Sequence, residues 1–185
     1  LDNFFVDPGM TIIELGCGNG RDAVYFAQNE LKVVALDQSI TGVKIAKKRL
    51  DVAKSHYLDT VSADFVKMDY AKYTHVDAFY SRFTIHSISS DDEAKLLPKI
   101  FHALNSGGLF CIEVRTTKDP LCGVGQDCGD NTFMTDGHRR RFIDSVEFRN
   151  RVVGMGFKEL YFIEKDNLSV YKNDNPVLMR IILKK

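Results

Sequence analysis

Short apolar runs alternate with amphipathic segments along most of the chain, a pattern that predicts strands alternating with helices. The runs are rich in β-branched residues and end at glycine or polar residues, as strands do. Helices are predicted where apolar residues recur every three or four positions. The predicted strands are 10–15, 32–36, 57–63, 76–80, 109–114, 157–165 and 176–183, and the predicted helices are 21–29, 42–50, 91–104 and 137–155.

Short polar motifs mark where these helices begin and end. Ser39 precedes the second helix, and its hydroxyl can accept an amide hydrogen bond from the first turn. Ser90 and Glu93 form a capping box at the start of the third helix, and Asp136 is the predicted N-cap of the fourth. An Asn-Ser-Gly-Gly run at 105–108 closes the third helix, because glycine can adopt the left-handed conformation.

The order of the elements predicts an α/β fold with a mostly parallel sheet. Strands joined through helices are parallel and carry helices on both faces of the sheet. No helix separates the last two strands, so an antiparallel C-terminal hairpin is expected at the sheet edge. The length of 185 residues and the hydrophobic content of 44% fit a single domain, 1–185, and the start at Leu1 instead of Met indicates a trimmed N-terminus.

The clearest chemical signal follows the first predicted strand. Glu14 leads into Gly16, Gly18 and Gly20, and a predicted helix begins at once. Glycines in such a turn let the backbone reverse sharply and let a ligand lie against it. A second apolar strand ends in Asp37, where a carboxylate can bind the hydroxyls of a ribose. This order of strand, glycine turn and helix predicts a nucleotide-binding corner.

The spacing of the glycines distinguishes between nucleotide ligands. A dinucleotide site has Gly-x-Gly-x-x-Gly and directs a helix N-terminus at a pyrophosphate, but here Arg21 takes the place of the third glycine. Glu14 would repel a diphosphate and would suit a cation. The motif of an acid, alternating glycines and a second acid, from Glu14 to Gly20 with Asp37, resembles the class I methyltransferases that depend on S-adenosylmethionine (SAM).

The resemblance implies SAM as the cofactor, a Rossmann-like seven-stranded methyltransferase fold, and methyl transfer to a small acceptor. It places Asp37 at the ribose, Asp64 and Phe65 beside the adenine, and Glu14 near the methionine end of the cofactor. The cofactor-binding residues that it implies are Glu14, Gly16, Cys17, Gly18, Gly20, Arg21, Asp37, Gln38, Asp64, Phe65 and Ser81.

Two histidines are candidate catalytic bases. His86 follows the fourth strand, where many of the small-molecule methyltransferases that the chain resembles carry a histidine, and His138 precedes an arginine run. An imidazole has a pKa near neutral and can take the proton of a hydroxyl acceptor. A phosphate or carboxylate acceptor would need no base, and His86 would then orient the substrate or lie in the core.

Several arginines are candidate ligands for an anionic acceptor. They are Arg82, Arg115, Arg139, Arg140 and Arg141. The last three fall in the first turn of the predicted helix 137–155, where a cation opposes the positive end of the helix dipole. A bound anion would compensate for this, because helix N-termini and guanidinium groups both suit phosphate or carboxylate. The alternative is a solvated basic turn that pairs with nearby aspartates.

A glycine-rich segment, 115–136, precedes this predicted helix. Irregular loops of such length are usually functional or disordered, so the segment is predicted to be a lid over the acceptor pocket. The arginine at the strand end, the Gly/Asp-rich loop and the His-Arg-Arg-Arg-Phe segment also resemble a bacterial subgroup encoded with surface-polysaccharide genes. That narrower resemblance implies a sugar- or phosphate-linked acceptor and a role in polysaccharide biosynthesis.

Composition argues against other classes of partner. Lys+Arg and Asp+Glu both number 25, so the net charge is zero and no basic field attracts nucleic acid. No apolar run approaches the roughly 20 residues that span a bilayer. The cysteines lack zinc-site spacing and the acids form no cluster, so we expect no metal, and reduced thiols indicate the cytoplasm. The expected partner is a small molecule, with no nucleic acid and no membrane.

Alternatives remain open from the sequence. The chain could be a non-catalytic SAM-binding module of a larger assembly, or a methyltransferase for a neutral hydroxyl or a protein. A nicotinamide-dependent reductase is a further alternative, which Arg21 in place of the third glycine opposes.

Overall fold

The computed structural model describes residues 6–53, 57–135 and 137–185, so the predicted cap Asp136 lies outside the described residues. The strands are β1 (Thr11–Leu15), β2 (Lys32–Asp37), β3 (Asp59–Ser62), β4 (Val76–Arg82), β5 (Leu104–Arg115), β6 (Gln126–Asp127), β7 (Thr132–Thr135), β8 (His138–Arg141), β9 (Lys158–Lys165) and β10 (Leu178–Lys184). The helices are α1 (Arg21–Gln28), α2 (Ile40–Val52), α3 (Ser90–Ala103) and α4 (Ser145–Gly154), with a 3-10 turn at Ile85–Ser87. Within the described ranges, no helix is long and apolar enough to cross a membrane.

Seven strands form one sheet in the order β3-β2-β1-β4-β5-β10-β9. β2 is parallel to β1 and to β3, whereas β9 and β10 are antiparallel. The predicted α/β fold and its antiparallel C-terminal hairpin are therefore confirmed. After β3 the chain crosses to the other side of β1, and ligands of open α/β sheets bind at such a switch in strand order.

The chain divides into two compact units. The first unit comprises Leu1–Tyr80, Lys99–Phe110 and Lys185, and the second comprises Ser81–Pro98 and Cys111–Lys184. The division falls within β4, α3 and β5, so each unit contains part of these elements.

The first unit is built around two buried strands. All residues of β1 are buried, as are the four central residues of β2, as expected of parallel strands covered on both faces. The Gly42 amide donates to Ser39 Oγ at 3.1 Å, which confirms the predicted cap of α2. The buried residues of the two helices are Ala23, Phe26 and Ala27 in α1 and Val43, Ala46 and Leu50 in α2.

The start of α3 differs from the predicted capping box. The Asp92 amide donates to Ser89 Oγ at 3.1 Å, so Ser89 is the capping residue instead of Ser90. The Glu93 carboxylate, which a capping box would direct to the helix start, instead receives two guanidinium groups. The prediction was wrong by one residue because two serines are adjacent and Glu93 has charged partners, which are stronger than an amide.

The end of α3 also differs from the prediction. The helix ends at Ala103 and β5 begins directly at Leu104, so the Asn-Ser-Gly-Gly run at 105–108 lies in the strand. Gly107 has a φ of +81°, the left-handed conformation predicted for a glycine of this run. The strand therefore begins five residues earlier than the apolar run that predicted it.

The predicted helix 137–155 is wrong over its first half. β8 pairs antiparallel with β7, which pairs with β6 in a separate three-stranded sheet. Helix α4 begins only at Ser145, where the Asp144 carboxylate accepts hydrogen bonds from the Val146 and Glu147 amides at 2.9 Å. Pairing with β7 outweighs the helix preference of the arginine run, and the start signal lies eight residues later than predicted.

The segment 115–135 is not the irregular loop that the sequence predicts. It contains β6 and β7, and Arg115, Thr116 and Asp119 at its beginning are buried. Thr116 also forms an isolated bridge with Ile143. The small sheet and this bridge satisfy backbone groups that an irregular loop would leave to solvent.

Candidate active site

The turn after β1 in the first unit depends on left-handed backbone conformations. Gly16, Gly18 and Gly20 have φ values of +74°, +52° and +77°. The Cys17 amide donates to the Leu36 carbonyl at 2.7 Å, which holds the turn against the end of β2. The alternating glycines of the sequence are therefore needed for the path of the backbone.

The glycines of the turn have different surroundings. A Cβ atom at Gly18 would meet nothing within 4 Å, so open space lies beside this residue. A Cβ atom at Gly20 would lie 2.6 Å from the Cβ of Ala46 in α2, and one at Gly42 would lie 2.9 Å from the Gly18 carbonyl oxygen. Gly18 thus leaves room for a ligand, whereas Gly20 and Gly42 allow α2 to pack against the turn.

Asp37 connects the two strand ends. Its carboxylate accepts the Gly18 amide at 2.7 Å and the Ser39 amide at 2.8 Å. Each carboxylate oxygen has a second lone pair, so Asp37 can also accept hydroxyl groups of a ligand. Hydrogen bonds from Gly18 and Ser39 therefore hold in place the carboxylate that is predicted to bind the ribose.

Glu14 is a buried carboxylate that lacks a complete set of partners. It is 4% exposed, and its Oε2 atom has no hydrogen-bond partner among the described residues. Burial, together with the charges of Asp22 and Asp37, raises the pKa of Glu14 to about 8, although Arg21 and the Ala23 amide oppose the rise. A ligand with a positive charge would supply the partner that Oε2 lacks.

The other predicted cofactor residues in the first unit vary in exposure. Cys17 is buried, and burial raises the pKa of its thiol to about 12, so it is unreactive. Arg21 and Gln38 are exposed, and Arg21 pairs with Asp22 at 3.0 Å. The Asp64 carboxylate accepts the Val66 amide at 2.9 Å. Phe65, the apolar residue predicted beside an adenine, is 9% exposed and therefore mostly covered.

In the second unit, His86 lies in the 3-10 turn and lacks a partner for one ring nitrogen. Its Nδ1 atom is buried and has no hydrogen-bond partner among the described residues. Burial, together with the charges of Arg115, Arg140 and Arg141, lowers the pKa of His86 to about 4. The structure therefore brings His86 and three of the predicted arginines into one neighbourhood, in which the imidazole is neutral at pH 7.

Most of the predicted acceptor-binding arginines have acidic partners. Arg82 pairs with Glu113 at 2.9 Å and donates to Ser169 Oγ at 3.0 Å. Arg115 is buried and pairs with Asp119 at 3.0 Å and with Asp174. These guanidinium groups neutralise buried carboxylates, so they have less capacity for a ligand.

Arg141 is also engaged by an acid. It is buried, pairs with Glu93 and donates to the Ile88 carbonyl at 3.0 Å. The Glu93 carboxylate also forms an ion pair with the Arg151 guanidinium group at 2.5 Å, so one carboxylate pairs with two cations. This pairing cannot be predicted from the sequence, because Glu93 and Arg141 are far apart in the chain and charge alone does not indicate which acid pairs with which base.

The remaining residues of β8 differ by face. Successive side chains of a strand point to opposite sides, so Arg140 lies on a different face from its neighbours Arg139 and Arg141. Arg140 is half-buried, and no described residue forms an ion pair or hydrogen bond with its guanidinium group. Arg139 and His138 are exposed. The premise that three arginines oppose a helix dipole is wrong, because these residues form a strand.

Ser81, which the resemblance placed at the cofactor, is fully buried in the second unit. Its hydroxyl lies 2.5 Å from that of Thr84. Across the described ranges, no group of three or more His, Cys, Asp or Glu side chains is arranged to hold a metal ion. The described cysteines are free, and Cys128 is exposed.

Comparison with known proteins identifies the family. The methyltransferase-domain family matches residues 12–108, just over half of the chain, including the glycine turn, Glu14 and Asp37. The chain belongs to this family. The methyltransferase therefore uses SAM, and the open space at Gly18, the unpartnered Glu14 oxygen and the Asp37 carboxylate fit a ligand that carries an ammonium group and a ribose. The nicotinamide alternative is excluded.

Curated relatives of the methyltransferase act in different reactions. The chain is 28% identical over 113 residues to carboxy-S-adenosyl-L-methionine synthase of Enterobacter sp., covering 58% of the chain and 45% of the relative. It is 30% identical over 123 residues to phosphoethanolamine N-methyltransferase 3 of Arabidopsis thaliana, covering 65% of the chain and 24% of the relative. The chain thus spans between about a quarter and a half of these relatives.

A solved structure shows the same fold over nearly the whole chain. It is the 1,6-didemethyltoxoflavin-N1-methyltransferase of Burkholderia thailandensis, crystallised with 1,6-didemethyltoxoflavin and S-adenosylhomocysteine. The TM-score is 0.74 at 15% identity, and the match covers 96% of this chain and 72% of the other. The likeness confirms the Rossmann-like methyltransferase fold that the sequence predicts.

Proposed function

We propose that the protein transfers the methyl group of SAM to a small acceptor that carries a negative charge, and that Arg140 binds this charge. The observation that supports the proposal is the difference among the arginines. Arg115 and Arg141 near His86 have acidic partners, whereas no described residue pairs with Arg140, which is half-buried and close enough to lower the pKa of His86. A partly desolvated guanidinium group without an acid is suited to a phosphate or carboxylate.

The surroundings of His86 favour an acceptor that needs no strong base. When bound, SAM supplies an electrophilic methyl group, and transfer of this group to an oxygen or nitrogen atom of the acceptor leaves the bonding electron pair on sulfur, giving S-adenosylhomocysteine. An imidazole with a pKa of about 4 is a weak base for a neutral hydroxyl, but it can hydrogen-bond to the acceptor. We assign His86 this orienting role, and alignment is the main contribution of the residues.

The name of one relative agrees with an anionic substrate, because phosphoethanolamine carries a phosphate. A sugar-linked phosphate, which the polysaccharide-associated subgroup would use, has the same chemistry and remains within the proposal. The support for that subgroup is weaker than the sequence implied, because the His-Arg-Arg-Arg segment is a strand.

Paired substrates and paired variants test the acceptor proposal. We would measure S-adenosylhomocysteine formation with phosphoethanolamine against ethanolamine, and with sugar phosphates against their parent sugars. We expect turnover of the member of each pair that carries the phosphate, and Arg140→Leu should raise its KM about tenfold or more, because a charge-assisted hydrogen bond is lost. Arg139→Leu is the matched control, since it removes the same charge from the exposed neighbour.

Two results would contradict this proposal. One is equal turnover of the two members of a pair, with and without the phosphate, which would favour the alternative of a neutral hydroxyl acceptor. The other is an equal effect of Arg139→Leu and Arg140→Leu, which would reflect only the overall charge of β8 and not a specific contact.

The orienting role of His86 predicts a particular pH dependence. With a pKa near 4, His86 stays neutral from about pH 5.5 to 8, so it should add no limb to the kcat/KM profile in this range. His86→Gln should therefore lower kcat/KM by a similar factor at every pH. A limb near pH 6.5 that is present in the unmodified protein and absent from the variant would instead make His86 a base.

Asp37 is proposed to bind the ribose hydroxyls of the cofactor. Each hydrogen bond to a charged group contributes about 1.5–3 kcal/mol, so Asp37→Ala should weaken S-adenosylhomocysteine binding at least about tenfold in calorimetry. Ser39→Ala is the control, because it removes the side-chain cap of α2 but keeps the amide that Asp37 accepts. Unchanged affinity in folded Asp37→Ala would remove this residue from the site.

A further inference from the structure

The surroundings of Glu14 are more negative than a buried carboxylate tolerates. Asp22 in α1 and Asp37 at the end of β2 both face it and disfavour its charge. Among the described residues, Arg21 is the one cation that acts on it, and its exposed guanidinium group bonds to Asp22. On β4, the neighbour of β1 in the sheet, the Tyr80 hydroxyl lies 3.4 Å from an Asp22 oxygen. Cys17 in the turn is uncharged.

We propose that Glu14 holds a proton in the ligand-free protein and releases it when the ammonium group of the cofactor binds. A buried carboxylate with an unpartnered oxygen and two acids nearby is more stable when neutral. An ammonium group beside Oε2 reverses this preference, because it offers both an opposite charge and hydrogen-bond donors. The inference rests on SAM as cofactor and not on the acceptor, so it can fail while the acceptor proposal stands.

The change in the pKa of Glu14 on binding determines how the affinity for the cofactor depends on pH. The pKa of Glu14 is about 8 in the free protein and falls when the ammonium binds, so binding releases a proton at neutral pH. Affinity should therefore increase as pH rises from about 6 to 7.5, by up to about tenfold per pH unit. Measurements stay below pH 7.5 because the α-amino group of the ligand itself titrates near 8.

Calorimetry counts the released proton directly. S-adenosylhomocysteine would be titrated at pH 7 into the full chain in phosphate and in Tris, which differ in ionisation enthalpy. The difference in observed enthalpy should correspond to release of about nine-tenths of a proton, the protonated fraction of a group with a pKa of 8. 5′-Methylthioadenosine has the same nucleoside but no ammonium, so its binding should release almost none.

A variant supplies a second measurement that needs no ligand. Because the folded-state pKa of Glu14 lies above its unfolded value of 4.5, the protein loses stability as pH rises from about 4.5 to 8. Glu14→Gln cannot ionise and escapes this loss. The Tm of Glu14→Gln should therefore exceed that of the unmodified protein increasingly as pH rises from 5 to 8.

Either measurement can overturn the inference. Equal proton release with S-adenosylhomocysteine and 5′-methylthioadenosine would place the titrating group away from the ammonium. No release with either ligand would mean that Glu14 keeps the same protonation state when the ligand binds. A Tm difference between Glu14→Gln and the unmodified protein that does not change from pH 5 to 8 would mean that Glu14 is already ionised in the free protein.

Discussion

Gly20→Ala is expected to lower the free energy of unfolding by roughly 3 kcal/mol or more. The new Cβ atom would lie 2.6 Å from Ala46 Cβ and 2.7 Å from Ala46 Cα, so α2 itself would have to move. Overpacking of a core costs about 1–3 kcal/mol, and a left-handed φ of +77° adds about 1–2 kcal/mol for a residue with a Cβ. Urea unfolding followed by circular dichroism measures the change.

Gly18→Ala is the matched control for this prediction. Its Cβ atom would meet no protein atom within 4 Å, so only the left-handed φ of +52° costs stability, about 1–2 kcal/mol. The methyl group would instead occupy the open space proposed for the cofactor. We expect a folded variant with much weaker S-adenosylhomocysteine binding. Equal destabilisation by the two substitutions would contradict the different roles assigned to these glycines.

Glu93→Gln is expected to destabilise the protein by about 3–5 kcal/mol, because it leaves the buried Arg141 cation without its carboxylate. Glu93 is 1% exposed and pairs with Arg141, which is itself buried, and with Arg151. For a chain of this length the loss corresponds to a fall in Tm of about 10 °C or more. Thermal unfolding by calorimetry at pH 7 would detect it.

Glu147→Gln, in α4, is the control for Glu93→Gln. Glu147→Gln removes a carboxylate that also pairs with Arg151, but at 3.6 Å and with a side chain that is 73% exposed. Exposed ion pairs contribute little, so its Tm should change by no more than a few degrees. If Glu93→Gln were equally mild, solvent would reach the pair, and Arg141 would then be available to bind a ligand.

The geometry of the turn that is proposed to bind the cofactor could be predicted from the sequence because its signals are local. Glu14, the alternating glycines and Asp37 all lie within a short stretch, and backbone geometry dictates their residue types. The strand-helix alternation predicted β1, α1, β2 and α2 closely for the same reason. Apolar periodicity and the Ser39 cap act over a few residues and need no knowledge of distant contacts.

The arrangement of the arginines proposed for the acceptor depends on contacts between residues that are distant in the sequence, and the sequence does not reveal these contacts. The arginine run was predicted to be helical because the start of the helix was placed eight residues too early. The sequence signal of the true start is Asp144, followed three residues later by Glu147. Nothing in the sequence indicates that Arg115 and Arg141 have acidic partners and that Arg140 differs from them. Only the structure shows that acids from other elements pair with the first two.

A crystal structure with bound S-adenosylhomocysteine would test the central claim most directly. We predict the ligand in the open space at Gly18, with its ribose hydroxyls on the Asp37 carboxylate and its ammonium within hydrogen-bond distance of Glu14 Oε2. Hydrogen bonds from a nitrogen donor should measure about 2.7–3.2 Å. A ligand bound elsewhere, or an ammonium group that leaves Oε2 unpartnered, would contradict the account.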